Sequence, residues 1–170
     1  RLSADKGVFD LPMIDRRLRE LGVDPAWTVQ GAGPDEAALR ASWSDRGDVR
    51  WSGQREKADV LRLYEQHDVL VMPSRNEGLP VALLEAGAAG VVPVVSDLPS
   101  GIPDVVDPGV SGYRPDVGDV GGFEEALDCL AQIAAGLVDC VALAGDIQLR
   151  AQRHIPIAFA FNHRAAEREF

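Results

Sequence analysis

Cysteine is scarce in this 170-residue chain: Cys129 and Cys140 are the two present. They form no Cys-x-x-Cys pair, and no His sits at metal-ligand spacing from either, which argues against a zinc ribbon or a disulfide-stapled scaffold. Two reduced, buried thiols in C-terminal helices are expected instead, in a chain that reads as cytosolic. Positive charge is short as well. Lys plus Arg number 17 against 27 Asp plus Glu, a formal net charge of −10, whereas nucleic acids and anionic membranes select basic surfaces. No run approaches the roughly 20 apolar residues of a spanning helix; the longest uncharged central stretch is broken by Glu85, Gly90 and Pro93. Low-complexity tracts, internal repeats and linkers are missing, and Gly and Pro are only mildly enriched, so neither disorder nor a fibrous repeat fits. A signal-peptide pattern is lacking too, and residue 1 is Arg rather than Met, so a piece of something longer is expected.

What is present alternates helix and strand. Leu11, Ile14, Leu18 and Leu21 form a helical stripe on an Arg-rich segment, stopped by Gly22. Strands are expected at Trp27 to Gln30 and Val49 to Trp51, with a helix opening at Asp35-Glu36 between them. A helix over Lys57 to Gln66 leads to Val69-Leu70-Val71-Met72, whose continuous apolarity suits a central parallel strand covered on both faces. Pro80 starts a further helix ending near Ala89, followed by a buried strand at Val91 to Val95. A last short strand at Val110 to Tyr113 is followed by helices over Val120 to Ala135, Val138 to Arg153 and Phe161 to Phe170. The whole reads as one α/β domain over 1–170, a core of about 1–153 plus a helical tail at 154–170, built on an open parallel sheet with helices on both faces.

In such a sheet ligands bind beyond the carboxyl ends of the strands, where loops enter helix N-termini. Three loops there are glycine-rich: Lys6-Gly7, Gly31-Ala32-Gly33-Pro34 and Glu77-Gly78-Leu79-Pro80. Each is a candidate phosphate seat through unpaired N–H groups, though taken alone each reads more readily as an ordinary strand-to-helix turn. The third carries more. Glu77 precedes a helix, and Glu85, eight residues on, interrupts the apolar run Val81, Ala82, Leu83, Leu84, Ala86. An unpaired carboxylate there would be costly, so Glu85 needs a hydrogen-bonding partner or a cleft, and vicinal hydroxyls such as those of a ribose are natural donors to it. Glu77 is placed for hydroxyls attached to the bound phosphate.

This segment resembles the Glu-x7-Glu signature of the retaining glycosyltransferases of family 4, which have the two-domain GT-B fold. The surroundings agree: Arg1-Leu2-x-x-x-Lys6-Gly7, Gln30-Gly31-x-Gly33-Pro34-x-Glu36-x-x-Leu39, Val49-x-Trp51-x-Gly53, Tyr64-x-x-x-Asp68-Val69-x-Val71-x-Pro73-Ser74, Pro93-Val94-Val95-Ser96-Asp97 and Gly101-Ile102-Pro103-Asp104 follow in the family's order over residues 1 to 127. The resemblance implies a Rossmann-like C-terminal half of a GT-B fold, the donor-binding domain, with the N-terminal acceptor domain absent from this chain. It implies transfer of a sugar from a nucleoside-diphosphate sugar to an acceptor hydroxyl with retention, without a metal or other cofactor. Arg1 and Lys6 fall to the donor diphosphate, together with the N–H groups of Gly78 and Leu79. Glu77 falls to the donor sugar and Glu85 to the ribose diol, so that Glu77, Lys6 and Arg1 form the catalytic set. Basic residues comprise 15 Arg and only 2 Lys, which makes a lysine at position 6 notable by itself.

Residues near Gly53 to Arg55 are implied to face the base. The acceptor, a glycan, lipid or small molecule, would be held by the N-terminal domain. The whole enzyme would be cytoplasmic, with room for peripheral contact at the inner face of the membrane. On this fold the alternatives are a sugar-nucleotide epimerase or phosphorylase, or a stand-alone nucleotide-binding or regulatory module without transferase activity. Several residues read as structural: His67 as a cap or surface group, His154 and His163 as tail residues, Arg16, Arg17 and Arg19 as a solvated helix face, and Trp27, Trp43 and Trp51 as packing, with Trp51 alone also a candidate to line the base pocket. Asp97 begins a loop the family places near the donor, where Ser100-Gly101 departs from the usual Gly-Gly.

Overall fold

The structure, a computed structural model, describes residues 1–135 and the strand at 156–160. Five parallel strands form one sheet: β1 (Ala26–Gln30), β2 (Arg50–Gly53), β3 (Val69–Met72), β4 (Val92–Val95) and β5 (Pro156–Ala160), in the order β2-β1-β5-β3-β4. Helices α1 (Leu11–Glu20), α2 (Glu36–Ser42), α3 (Lys57–Tyr64), α4 (Val81–Ala88) and α5 (Val120–Ala134) flank it.

The strands read as expected because their side chains alternate between two apolar clusters. From β3, Val69 and Val71 join a core with Leu11, Ile14 and Leu18 of α1, Leu39 and Trp43 on the α2 side, and Phe123, Leu127 and Leu130 of α5. Leu70 and Met72 point the other way, to Val60 and Tyr64 of α3 and Ala82, Leu83 and Ala86 of α4. Each buried Val, Leu or Met of this kind contributes about 1.5–3 kcal/mol. A strand buried on both faces cannot show polar alternation, which accounts for the continuous apolarity of β3 and β4.

Three expectations change. Within the stretch 154–170, expected to be helical, 156–160 is the central strand, paired with β1 along its length and with β3 at Ile157 and Ala158. Ile157 and Phe159 alternate with alanine, a short strand-like pattern, and pairing with β1 and β3 fixes the segment as a strand. The expected strand at Val110 to Tyr113 reduces to single bridges, Tyr113 with Val94 and Gly112 with Pro108. The helices expected at Val138 to Arg153 and Phe161 to Phe170, together with Cys140, His154 and His163, lie outside the described residues. Cys129 is a free thiol on α5, half-buried rather than buried, with Sγ 3.4 Å from the Tyr113 hydroxyl.

Trp27 and Trp43 are packing residues, as expected, and each donates its indole N–H to the fully buried Asp15, at 2.7 and 3.2 Å. Arg46 completes this knot through a 2.8 Å bond to Asp15. Trp51 packs on the edge of Trp43, with the Arg40 guanidinium 4.2 Å over its ring.

His67 behaves as a cap. Its Nδ1 lies 2.6 Å from the Leu63 carbonyl at the end of α3, and its Nε2 lies 2.9 Å from the Thr28 hydroxyl. Burial lowers its pKa below the ordinary value, against a smaller opposing pull from the Leu63 carbonyl. The unfolded chain therefore binds the extra proton first, and the stability His67 contributes is complete above about pH 6.5 and is lost as the pH falls below that. Thermal melts of the wild type should drop between pH 7.5 and 5.5, above the range where carboxylates titrate. His67→Gln should flatten the part of that drop that His67 contributes; a slope identical to wild type would leave His67 no share in it.

Candidate functional site

The chain leaves β1 toward β2 and leaves β3 toward β4, so the sheet has its switch point between β1 and β3, at the carboxyl end of β5. A crevice is expected there. Residues 1–10 cross this point and tie the flanking loops together. Leu2 N–H donates to Ala32 O at 3.0 Å after β1, and Arg75 N–H donates to Asp5 O at 2.9 Å after β3. The Arg75 guanidinium also pairs with Asp10 at 3.0 Å.

Close backbone approach explains two of the glycines. A Cβ on Gly7 would lie 1.8 Å from Pro73 O, and its φ of +65° is the left-handed region. On Gly33 a Cβ would lie 2.1 Å from Leu2 O. These two glycine-rich turns are packing joints between the first segment and the loops, which weakens their claim as phosphate seats.

The third loop keeps its claim. Lys6 and Glu77 come together, Nζ to Oε1 at 3.1 Å, with their side chains only 12% and 6% exposed. Lys6 also donates to Asn76 O at 2.8 Å, and the Ser74 hydroxyl donates to Glu77 Oε1 at 2.7 Å. The loop is thus pinned around a charged pair at the mouth of α4. Among the described residues no acceptor takes the N–H of Gly78 or Leu79, just before the positive end of that helix. The backbone of Arg1 lies close enough to Lys6 and Glu77 to feel both charges. The Arg1 guanidinium makes no ion pair or hydrogen bond among the described residues.

Glu85 lies on the fifth residue of α4 and is 9% exposed, yet neither carboxylate oxygen has a hydrogen bond. Its one charged neighbour among the described residues is Lys57 Nζ, 3.5 Å from Oε1. Tyr64, fully buried on α3, also has an unpartnered hydroxyl, and its pKa is raised by burial and then by the Glu85 charge. Such orphaned buried groups are rare and call for an explanation.

Gly101 clarifies the following loop. Its N–H donates to Gly78 O at 3.1 Å, and a Cβ there would press on the Leu79 side chain at 3.0 Å. The Ser100 hydroxyl accepts from Ile102 N–H, so the departure from Gly-Gly falls at the position that can bear a side chain. Asp97 turns instead to the sheet edge, pairing with Arg114 at 3.4 Å. Among the described residues no three His, Cys, Asp or Glu side chains gather as a metal site, and no helix is long and apolar enough to cross a membrane.

Sequence reasoning passes over Ser74, Arg75, Asp10 and Lys57. Ser74 and Glu77 stand three apart, a spacing at which a hydroxyl and a carboxylate can meet. Lys57 is the other of the two lysines, so the scarcity that distinguishes Lys6 applies equally to it.

An all-parallel, doubly wound sheet with paired basic and acidic side chains at its switch point is a Rossmann-like domain, and the solved structures that share it are GT-B glycosyltransferases. S. aureus TarM, solved in complex with UDP among other ligands, matches with a TM-score of 0.69 over 90% of this chain and 29% of TarM, at 15% identity, a likeness of fold alone. The model of the glycosyl transferases group 1 family matches residues 8–132, and the chain belongs to that family. It is 32% identical over 166 residues to the amylovoran biosynthesis glycosyltransferase AmsK of Erwinia amylovora, covering 91% of this chain and 40% of AmsK. It is 33% identical over 142 residues to the putative colanic acid biosynthesis glycosyltransferase WcaL of Escherichia coli (strain K12), covering 78% of this chain and 35% of WcaL. The chain thus spans well under half the length of these curated relatives.

Proposed function

We propose that this chain is the C-terminal, donor-binding domain of a retaining, family 4 type glycosyltransferase that uses a nucleoside-diphosphate sugar without a metal. Glu85 carries the reading: a nearly buried carboxylate with both oxygens unbonded, eight residues beyond a Glu held by Lys6 and Ser74. Two open carboxylate oxygens suit two vicinal hydroxyls, and a ribose supplies them. The diphosphate would then lie against the N–H groups of Gly78 and Leu79 at the start of α4, with Lys6 and Arg1 supplying positive charge. Glu77, oriented by Lys6 and Ser74, would take hydroxyls of the donor sugar.

The chemistry asked of these residues is positioning and charge stabilisation. As the bond from the anomeric carbon to the diphosphate breaks, negative charge grows on the leaving oxygens. Fixed donors already aimed at them are typically worth about 3–4 kcal/mol each. Glu77 and Glu85 are occupied with hydroxyls and do not form a glycosidase-like acid and base flanking a scissile bond. Transfer belongs to the whole protein, whose remaining length would hold the acceptor, and this chain alone is expected to bind donor and transfer nothing. The same reading puts the enzyme in the cytoplasm, with acceptors drawn from glycans, lipids or small molecules. Membership of the glycosyltransferase family leaves the alternative of a regulatory module without a supporting observation.

Titration calorimetry of the chain against UDP, GDP, ADP and their sugar conjugates tests this. One nucleoside diphosphate should bind, and Glu85→Gln or Lys6→Ala should weaken it tenfold or more, about 1.4 kcal/mol, with the circular dichroism spectrum retained. Absence of binding to every nucleotide, or unchanged affinity in both variants, would overturn the assignment.

A further inference from the structure

Lys57 opens α3, and its ammonium reaches Glu85 of α4 while the rest of its side chain stays in water, 71% exposed against 9% for Glu85. The contact, 3.5 Å to Oε1, is an ion pair and not a hydrogen bond. It leaves the lone pairs of Oε1 and the whole of Oε2 available to other donors. A second polar group near enough to feel the Glu85 charge is the Tyr64 hydroxyl of α3, fully buried and without a bond of its own.

A carboxylate so nearly buried would relieve its desolvation by turning inward to that hydroxyl, and the donors of a ligand would then find no acceptor. A cation at the solvent side opposes this turn. We propose that Lys57 is a positioning residue of the nucleoside seat: it holds the Glu85 carboxylate at the mouth of the seat so that both oxygens can accept ribose hydroxyls. The inference rests on the reading of Glu85 as the diol acceptor. Because the pair involves no hydrogen bond and the lysine stem is free to retreat, the ribose can enter without breaking it. Removal of the charge therefore weakens binding and does not strengthen it.

The test compares UDP, GDP and ADP with their 2′,3′-dideoxy counterparts by calorimetry on the chain and its Lys57→Met, Lys57→Arg and Glu85→Gln variants. Lys57→Met keeps the apolar stem and should lower affinity for the ribonucleotide about three- to tenfold, the range of a charge-assisted contact. Affinity for the dideoxy ligand should not change. Lys57→Arg should restore ribonucleotide affinity to within about twofold of wild type, since charge and reach are kept. Lys57→Arg should melt as wild type does, whereas Lys57→Met leaves the nearly buried Glu85 carboxylate without its ion pair and should melt somewhat lower with the fold retained. Equal losses for both ligands, no loss, or tighter binding in Lys57→Met would each overturn the role of Lys57. If Glu85→Gln still separates ribonucleotide from dideoxy as wild type does, or if wild type binds no diphosphate, the seat itself is overturned and Lys57 with it.

Discussion

Asp15→Ala should lose about 3–5 kcal/mol of folding stability, the range for removing one partner of a buried charge pair. Asp15 is fully buried and accepts from the indoles of Trp27 and Trp43, from Arg46 at 2.8 Å and from Arg19 at 3.1 Å. Alanine strands two buried indole N–H groups and leaves the Arg46 guanidinium, whose side chain is 5% exposed, with Asp24 and Asp48 at the surface. Urea denaturation followed by tryptophan fluorescence would measure the loss and report the indoles directly. Asp15→Asn keeps an acceptor without the charge and should lie between. A loss under about 1 kcal/mol in Asp15→Ala would mean that water or the surface acids replace the carboxylate fully.

Gly7→Ala should abolish detectable nucleoside diphosphate binding while much of the fold persists. The added Cβ would sit 1.8 Å from Pro73 O and 2.6 Å from its carbonyl carbon, both backbone atoms, so one segment must move. The residues displaced are the neighbours of Lys6 on one side and of Ser74 and Glu77 on the other. The left-handed φ of +65° adds roughly 1 kcal/mol of its own. Gly22→Ala separates the two effects, since Gly22 has a φ of +83° with nothing within 4 Å of the added atom. It should show the backbone cost in a melt and bind nucleotide as wild type does. Equal nucleotide affinity in the two variants would show that the approach of Gly7 to Pro73 does not govern the seat.

Elements with a self-contained pattern are legible in the sequence. The α1 stripe over Leu11, Ile14 and Leu18 and the two-faced strands β3 and β4 lie where the sequence places them, while Leu21 falls exposed beyond α1 and Pro80 is the cap before α4 rather than its first residue. Legibility stops where a partner decides the matter. β5 lies between β1 and β3, and the alternation of Ile157 and Phe159 with alanine is too short to announce it without those partners. Asp15 sits among Ile14, Arg16 and Arg17, where a carboxylate is unremarkable; its burial depends on Trp27, Trp43 and Arg46 arriving from 12, 28 and 31 residues away. At the candidate site, the residue types at Lys6, Glu77 and Glu85 are readable from motif order. Their mutual support is not, because Ser74, Arg75, Asp10 and Lys57 act through contacts that spacing alone does not fix.

The loop between β3 and α4 is held from three directions: by Lys6 on Asn76 O, by Asp5 O on Arg75 N–H, and by Gly101 N–H on Gly78 O. A loop with so many ties has little conformational freedom left to surrender when a ligand arrives. Association should therefore carry a small entropic penalty from ordering, leaving the heat of the charge-assisted contacts to dominate. The heat capacity change should track the area covered by the ligand and not the folding of a segment. A van't Hoff plot over about 10 to 35 °C would then be nearly straight, with the curvature of coupled folding absent.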